Sequence, residues 1–297
     1  MKQIKTDKMQ TFVYNTRKEM GDAAGKEAAR LISEIIKEKG ECNAIFAAAP
    51  SQNETLAALL ASDVDFSRVR AFHMDEYVGL DISRKESFAR YLSDHVFSKA
   101  PFMEVHYLPA TLPAEEATAA YTALLRKYPV DVVLMGIGEN GHIAFNDPPV
   151  ADFADPHTMK QVALDDVCRM QQVHDGCFPD FDSVPKYALT LTVPALMRAR
   201  HLICSVPAPT KAAAVLAMLT GPVGEVCPAT ALRGHGDAKM YLDRDSASLL
   251  PGSLANDRPA LSRRHLGGRP RRETGGSALP RRQDRGGGIS HPRDRGL

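Results

Sequence analysis

The segment Gly136-Ile-Gly-Glu-Asn-Gly-His142-Ile-Ala-Phe-Asn-Asp147-Pro148 holds the residue types best suited to moving protons in this chain of 297 residues. Histidine titrates near neutrality, and a carboxylate or amide beside it fixes which ring nitrogen carries the proton. His142 is bracketed in this way by Asn140 and Asp147. The glycines let the backbone turn tightly and approach a ligand closely. Spacing alone is equally compatible with an ordinary loop histidine. The Gly-x-Gly-x-x-Gly pattern invites comparison with a dinucleotide fingerprint, which opens a helix directly and is followed by an acid about twenty residues on. Here the glycines run into His-Ile-Ala-Phe-Asn-Asp-Pro, so no nicotinamide cofactor is expected.

Asp75 and Glu76, in Met74-Asp-Glu-Tyr-Val-Gly-Leu80, form a second candidate. Adjacent side chains on an extended segment point to opposite faces, so one carboxylate can enter a cleft while the other makes structural contacts. A carboxylate among apolar groups has its pKa raised toward that of a useful base. A solvated acidic turn is the plain alternative. Pro50-Ser-Gln-Asn-Glu54 joins an apolar run to a helical pattern, where free backbone N–H groups attract anions and Ser51 or Asn53 can cap the helix. Lys211 sits in the first turn of a later helical pattern and adds a positive charge, although an exposed lysine explains it as well.

The elements that must position these residues follow from hydrophobic periodicity. Apolar strand-like runs occur at residues 44–49, 69–73, 105–108, 130–135, 187–192, 201–206 and 240–242. Helical spacing of three and four covers 23–36, ending near Gly40, and recurs at 54–61, 87–98, 114–126 and 210–219. Strands apolar throughout and alternating with helices predict a doubly wound, Rossmann-like α/β fold, with a mostly parallel sheet covered by helices on both faces. Such sheets collect ligands beyond the carboxyl ends of their strands. The loops there are 50–54, 74–79, 136–148 and 207–211, the segments that hold every candidate above.

The periodic body spans 1–250. Residues 251–297 read instead as an Arg/Gly/Pro-rich, disordered tail, with eleven arginines, no lysine and four acids. That tail carries a charge of +7, against −6 for the rest of a chain whose net charge is +1. It reads either as a basic RNA-binding tail or as sequence out of the native reading frame, and the second explains the absence of lysine. For the body no nucleic-acid partner is expected. No apolar run of eighteen residues suggests a membrane span, and no signal peptide is apparent. The five cysteines are widely spaced without a Cys-x-x-Cys pair, so neither a disulfide framework nor a metal site is expected, and Cys204 reads as a buried inert thiol. A cytoplasmic address follows.

Taken together, Met-Asp-Glu-Tyr-Val-Gly-Leu (74–80), Gly-His-Ile-Ala-Phe-Asn-Asp-Pro (141–148) and Val-Pro-Lys-Tyr-Ala-Leu-Thr (184–190) make residues 12–250 resemble the glucosamine-6-phosphate deaminase/isomerase family, related in fold to the 6-phosphogluconolactonases. The resemblance implies an enzyme acting on a small-molecule sugar phosphate without metal or organic cofactor, with a homo-oligomer left open. It implies that Asp75 removes the C2 proton of the opened sugar, and that His142, flanked by Asn140 and Asp147, moves protons during ring opening. Ser51, Asn53 and Lys211 would hold the phosphate. A lactonase, or a sugar-phosphate sensor without turnover, are the alternatives. Lactonases typically show Asp-Glu-Arg where this chain has Asp75-Glu76-Tyr77. Asp147 replaces a family glutamate and is shorter by one C–C bond, which predicts a backbone shift or a bridging water to reach His142. Pro50-Ser-Gln-Asn-Glu54 replaces the usual Pro-Thr-Gly-Ser-Thr, placing Gln52 and the charge of Glu54 near the anion. The arginine that the family carries before its Val-Pro segment has no clear counterpart near Arg169.

Overall fold

The computed structural model describes residues Met1–Gly252, so the tail read over 251–297 lies outside the described residues except for Pro251 and Gly252. An eight-stranded sheet runs through this body. In chain order its strands are β1 (Lys2–Thr6), β2 (Met9–Val13), β3 (Cys42–Phe46), β4 (Val69–His73), β6 (Glu104–His106), β7 (Val132–Met135), β10 (His201–Val206) and β11 (Ala238–Leu242). Their spatial order is β1-β2-β11-β10-β7-β3-β4-β6, and every pairing except the β1–β2 hairpin is parallel.

Alternation along the central strands sorts the core into two layers. Ile45, Val133, Met135, Leu202 and Cys204 face one cluster, while Ala44, Phe46, Val132, Leu134 and Ile203 face the other. The second cluster is covered by α1 (Arg17–Lys39) and α2 (Asn53–Leu60), and the first by α4 (Ala114–Lys127), α6 (Val193–Met197) and α7 (Ala212–Thr220). This is the doubly wound sheet expected. Helix α1 starts at a capping box, with Thr16 accepting from the Glu19 N–H and Glu19 accepting from the Thr16 N–H, and it stops at Gly40 in the left-handed region. Helix α3 (Phe88–Leu92) is shorter than the periodicity suggested, because the chain widens into a π-helical turn over Ser93–Phe97.

A second, three-stranded antiparallel sheet departs from the expectation. It joins β5 (Asp75–Tyr77), β9 (Tyr187–Leu191) and β8 (Met159–Ala163) in the order β5-β9-β8. The strand read over 187–192 therefore belongs outside the parallel sheet, and the segment 74–79 is part strand. Short strands buried on both faces lack a periodicity that would reveal which sheet they join.

Candidate active site

The chain runs outward from β3 to β4 and β6 on one side of the sheet, and from β7 to β10 and β11 on the other. At the switch between β3 and β7 the loops at their carboxyl ends diverge and leave a cleft. The cleft is lined by residues after β3 (Ala47–Ser51), after β4 (Met74, Asp75), after β7 (Gly136, Ile137, Gly138, His142, Ala144) and after β10 (Pro207, Ala208, Thr210, Lys211). Ala144 and Ala208, both lining it, adopt φ of 52° and 84°. Such backbone strain in non-glycine residues concentrates at functional sites.

Asp75 enters this cleft and is 8% exposed. Its carboxylate accepts no hydrogen bond among the described residues. Burial, with the charge of Glu76 as a lesser cause, holds its pKa well above the ordinary carboxylate range. Glu76 points the other way. It accepts from the backbone N–H groups of Tyr77, Phe88 and Ala89 and from the Ser87 hydroxyl, at 2.8–3.1 Å, and so ties β5 to the start of α3. The neighbouring acids thus divide into one bare and one fully bonded group, as their alternation on a strand predicted.

His73 fixes the crossover that presents Asp75. Its Nε2 accepts from the Leu108 N–H at 2.8 Å, so Nδ1 carries the proton and donates to the Asp75 carbonyl at 3.0 Å. Burial pulls this imidazole down to about 4, which keeps it neutral and preserves that tautomer. The Tyr121 hydroxyl donates to the His73 carbonyl and accepts from its N–H, locking the end of β4.

His142 is the second functional group brought into the cleft. Its Nδ1 lies 2.7 Å from Asn140 Oδ1 and 3.1 Å from Asp147 Oδ1, and Asn140 Nδ2 donates to the same Asp147 oxygen at 2.8 Å. Two acceptors at Nδ1 place the proton there and leave Nε2 without a partner among the described residues. The shorter Asp147 therefore reaches the ring directly, without the bridging water anticipated as one of two ways to span the gap. Burial works to raise Asp147, but hydrogen bonds from His142, Asn140 and Cys168 and the charge of His142 outweigh it and hold the carboxyl low. The loop is pinned from below, where Asn146 donates to the carbonyls of Ile143 and Leu191 and the Phe145 N–H donates to Thr190 Oγ1. Gly138 gives the ring its space, because a Cβ there would sit 2.0 Å from His142 Cε1.

His142, Asp147 and Cys168 each offer a ligand atom within 4.8 Å of the others, the one such trio among the described residues. Burial and the adjacent Asp147 push the Cys168 thiol far up, so in the metal-free site it stays protonated and donates a hydrogen bond to Asp147. The trio is a hydrogen-bonded support for His142. Cys204 is fully buried, and burial pushes its thiol up to about 12.

The anion end of the cleft departs from expectation in detail. Lys211 lines it and is 7% exposed, and its ammonium has no hydrogen bond or ion pair among the described residues; burial lowers its pKa, opposed by Asp175 and Glu139. Ser51 lines it as well. Asn53 does not: its side-chain oxygen accepts from the Tyr91 hydroxyl, which draws it away from the cleft. Gln52 turns inward, where its amide donates to the Ser205 carbonyl at 3.1 Å. The charge of Glu54 is met by Arg17 at 2.8 Å, and Arg17 also donates to the Pro50 carbonyl and lines the cleft. Arg169 is no cleft residue. Buried, it donates to the carbonyls of Phe181 and Val184 and stacks on the Phe181 ring.

Sequence reading missed Arg17, Phe88, Phe145, Thr210 and the α5 segment (Asp166–His174), which brings Gln171, Gln172 and, just beyond it, Asp175 to the cleft. Asp165 capping the Cys168 N–H was the available signal for α5.

Fold and cleft together define an α/β protein built for acid–base chemistry on a small anionic molecule. The chain belongs to the glucosamine-6-phosphate isomerase/6-phosphogluconolactonase family, whose model matches residues 15–241. It is 36% identical over 231 residues to a glucosamine-6-phosphate deaminase of Listeria monocytogenes, covering 77% of this chain and 96% of the relative. A Ligilactobacillus salivarius glucosamine-6-phosphate deaminase is 33% identical over 228 residues, covering 76% and 94%. A solved monomeric glucosamine-6-phosphate deaminase superposes with a TM-score of 0.74 at 28% identity, over 80% of this chain and 99% of that one. The 6-phosphogluconolactonase of Thermotoga maritima shares the fold, with a TM-score of 0.64 at 19% identity over 78% and 99%.

Proposed function

We propose that the chain converts glucosamine 6-phosphate and water to fructose 6-phosphate and ammonia. The observation that carries this reading is the pairing, in one cleft, of a buried and unbonded Asp75 carboxylate with an imidazole whose Nε2 is free. Lys211, Ser51 and Arg17 hold the phosphate. His142 takes the proton of the anomeric hydroxyl and returns it to the ring oxygen, opening the pyranose, while Asp147 and Asn140 hold the ring and stabilise its charged form. Asp75, made a stronger base by burial, removes the C2 proton and delivers it to C1 through an enolamine. Water then hydrolyses the resulting ketimine and ammonia leaves. None of these steps calls on a metal or an organic cofactor. No helix among the described residues is long and apolar enough to cross a membrane, and a cytoplasmic address is part of this proposal.

The test is coupled measurement of ammonia and fructose 6-phosphate from glucosamine 6-phosphate. Equimolar release is expected. Acid production from 6-phosphogluconolactone with no ammonia from the amino sugar would replace this reading with that of a lactonase. Calorimetric binding of the amino sugar with neither product would replace it with that of a sensor.

A further inference from the structure

Two neighbouring glutamines line the cleft, and only one of them is occupied. Gln171 accepts from the Glu139 N–H at 3.0 Å and donates to Asp175 at 3.2 Å, fastening α5 to the loop that carries His142. Gln172 is 6% exposed, yet its carboxamide makes no hydrogen bond among the described residues. Its backbone is held firmly, because the N–H groups of Cys177 and Phe178 both donate to its carbonyl. With its backbone fixed and its amide opening into the cleft without a protein partner among the described residues, the side chain is available to whatever enters.

From this we infer that Gln172 reads hydroxyl groups of the substrate's sugar chain and sets which amino-sugar phosphates the cleft accepts; the inference rests on the deaminase reading above. A carboxamide offers a donor and an acceptor side by side. A phosphate dianion only accepts, so it would leave the amide oxygen facing negative charge. A sugar hydroxyl both donates and accepts and satisfies the whole group. The cleft's cations, Lys211 and Arg17, already suit the phosphate. A site that hydrogen-bonds a hydroxyl rejects analogues lacking it, because the buried partner is then stranded.

The experiment compares wild type, Gln172→Leu and Gln172→Glu on glucosamine 6-phosphate and on its 3-deoxy and 4-deoxy analogues, with inorganic phosphate as a competitive inhibitor. Wild type should lose on the order of ten- to a hundredfold in kcat/KM with one deoxy analogue. Gln172→Leu should show that loss already on the full substrate and no further loss on that analogue. Gln172→Glu keeps the shape, loses the donor and should fall between the two. Phosphate inhibition should be unchanged in Gln172→Leu, which also shows that the cleft is folded, and somewhat weaker in Gln172→Glu, whose new carboxylate repels the anion. Losses that simply multiply for both analogues, or phosphate inhibition weakened in Gln172→Leu, would overturn the role of Gln172 alone. Absence of ammonia from wild type would overturn the deaminase reading and this inference with it.

Discussion

Replacing Asp75 by Asn should inactivate the protein and stabilise it at once. The folded chain buries this carboxyl beside Glu76 without a hydrogen bond, so its pKa lies well above the value of about 3.9 expected in the unfolded chain. Between those two values the unfolded state is the first to shed its proton. Wild-type stability due to this group therefore falls as pH rises through the unfolded value and levels off above the folded one. Asn has no charge to desolvate and no titration. The variant should match wild type near pH 3, below the unfolded value, and exceed it at pH 8 by on the order of 1–3 kcal/mol, the added cost of burying a charge instead of a neutral amide. In melting temperature this is about 2–4 °C for each kcal/mol. His73, neutral in the fold and charged in the unfolded chain at low pH, destabilises both proteins alike as pH falls and cancels in the difference. Urea unfolding at the two pH values measures the effect. Ammonia release should meanwhile drop roughly 10²–10⁴-fold. An Asn variant less stable than wild type at pH 8, or a difference independent of pH, would show that the carboxylate is held by favourable contacts and is not a destabilised base.

Lys211→Met should raise KM for the sugar phosphate roughly 10–100-fold with kcat changed little, and Arg17→Ala, at a more exposed position, by about tenfold or less; inorganic phosphate titrations check both. Because burial lowers the pKa of Lys211, KM should climb on the alkaline side at a lower pH than an ordinary lysine would give. Lys211→Arg should move that climb out of range, since guanidinium stays charged, and an unmoved profile would reject Lys211 as the titrating group. Gly138→Ala should push the His142 ring aside and lower kcat about 10²-fold or more while leaving phosphate affinity near wild type. Wild-type kcat in that variant would mean that the ring can move without loss.

The parallel sheet was legible because its strands are apolar on both faces and its helices repeat at three and four residues. The three-stranded sheet was not. Asp75–Tyr77 is buried throughout, and three residues cannot display a period. The β1–β2 hairpin was legible in principle, since Ile4, Met9 and Val13 are buried in a polar–apolar alternation, but lysines at its start masked that pattern. At the site, Asp75 and His142 could be located because their loops follow buried strands. The destination of the altered phosphate loop could not be read locally. Glu54 looks hostile to an anion until Arg17, 37 residues earlier in the chain, is seen beside it at 2.8 Å. Gln52 looks like an obstruction until its amide is found bonded to Ser205, on a strand more than 150 residues away.

The cleft gives two aspartates opposite fates by means of their surroundings alone. Asp75 and Asp147 are both buried, and burial acts on both to raise the pKa. Asp147 also receives hydrogen bonds from His142, Asn140 and Cys168 and sits beside the charge of His142, and together these reverse its shift. An ionised Asp147 can hold and stabilise an imidazolium but makes a poor base, whereas Asp75 keeps the proton affinity needed to strip a carbon acid. Supplying Asp75 with a hydrogen-bond donor would therefore weaken it as a base while leaving it in place. In the proposed mechanism the bare carboxylate and the saturated one are complementary parts of one proton-moving site, the first suited to taking a proton and the second to steadying the imidazole.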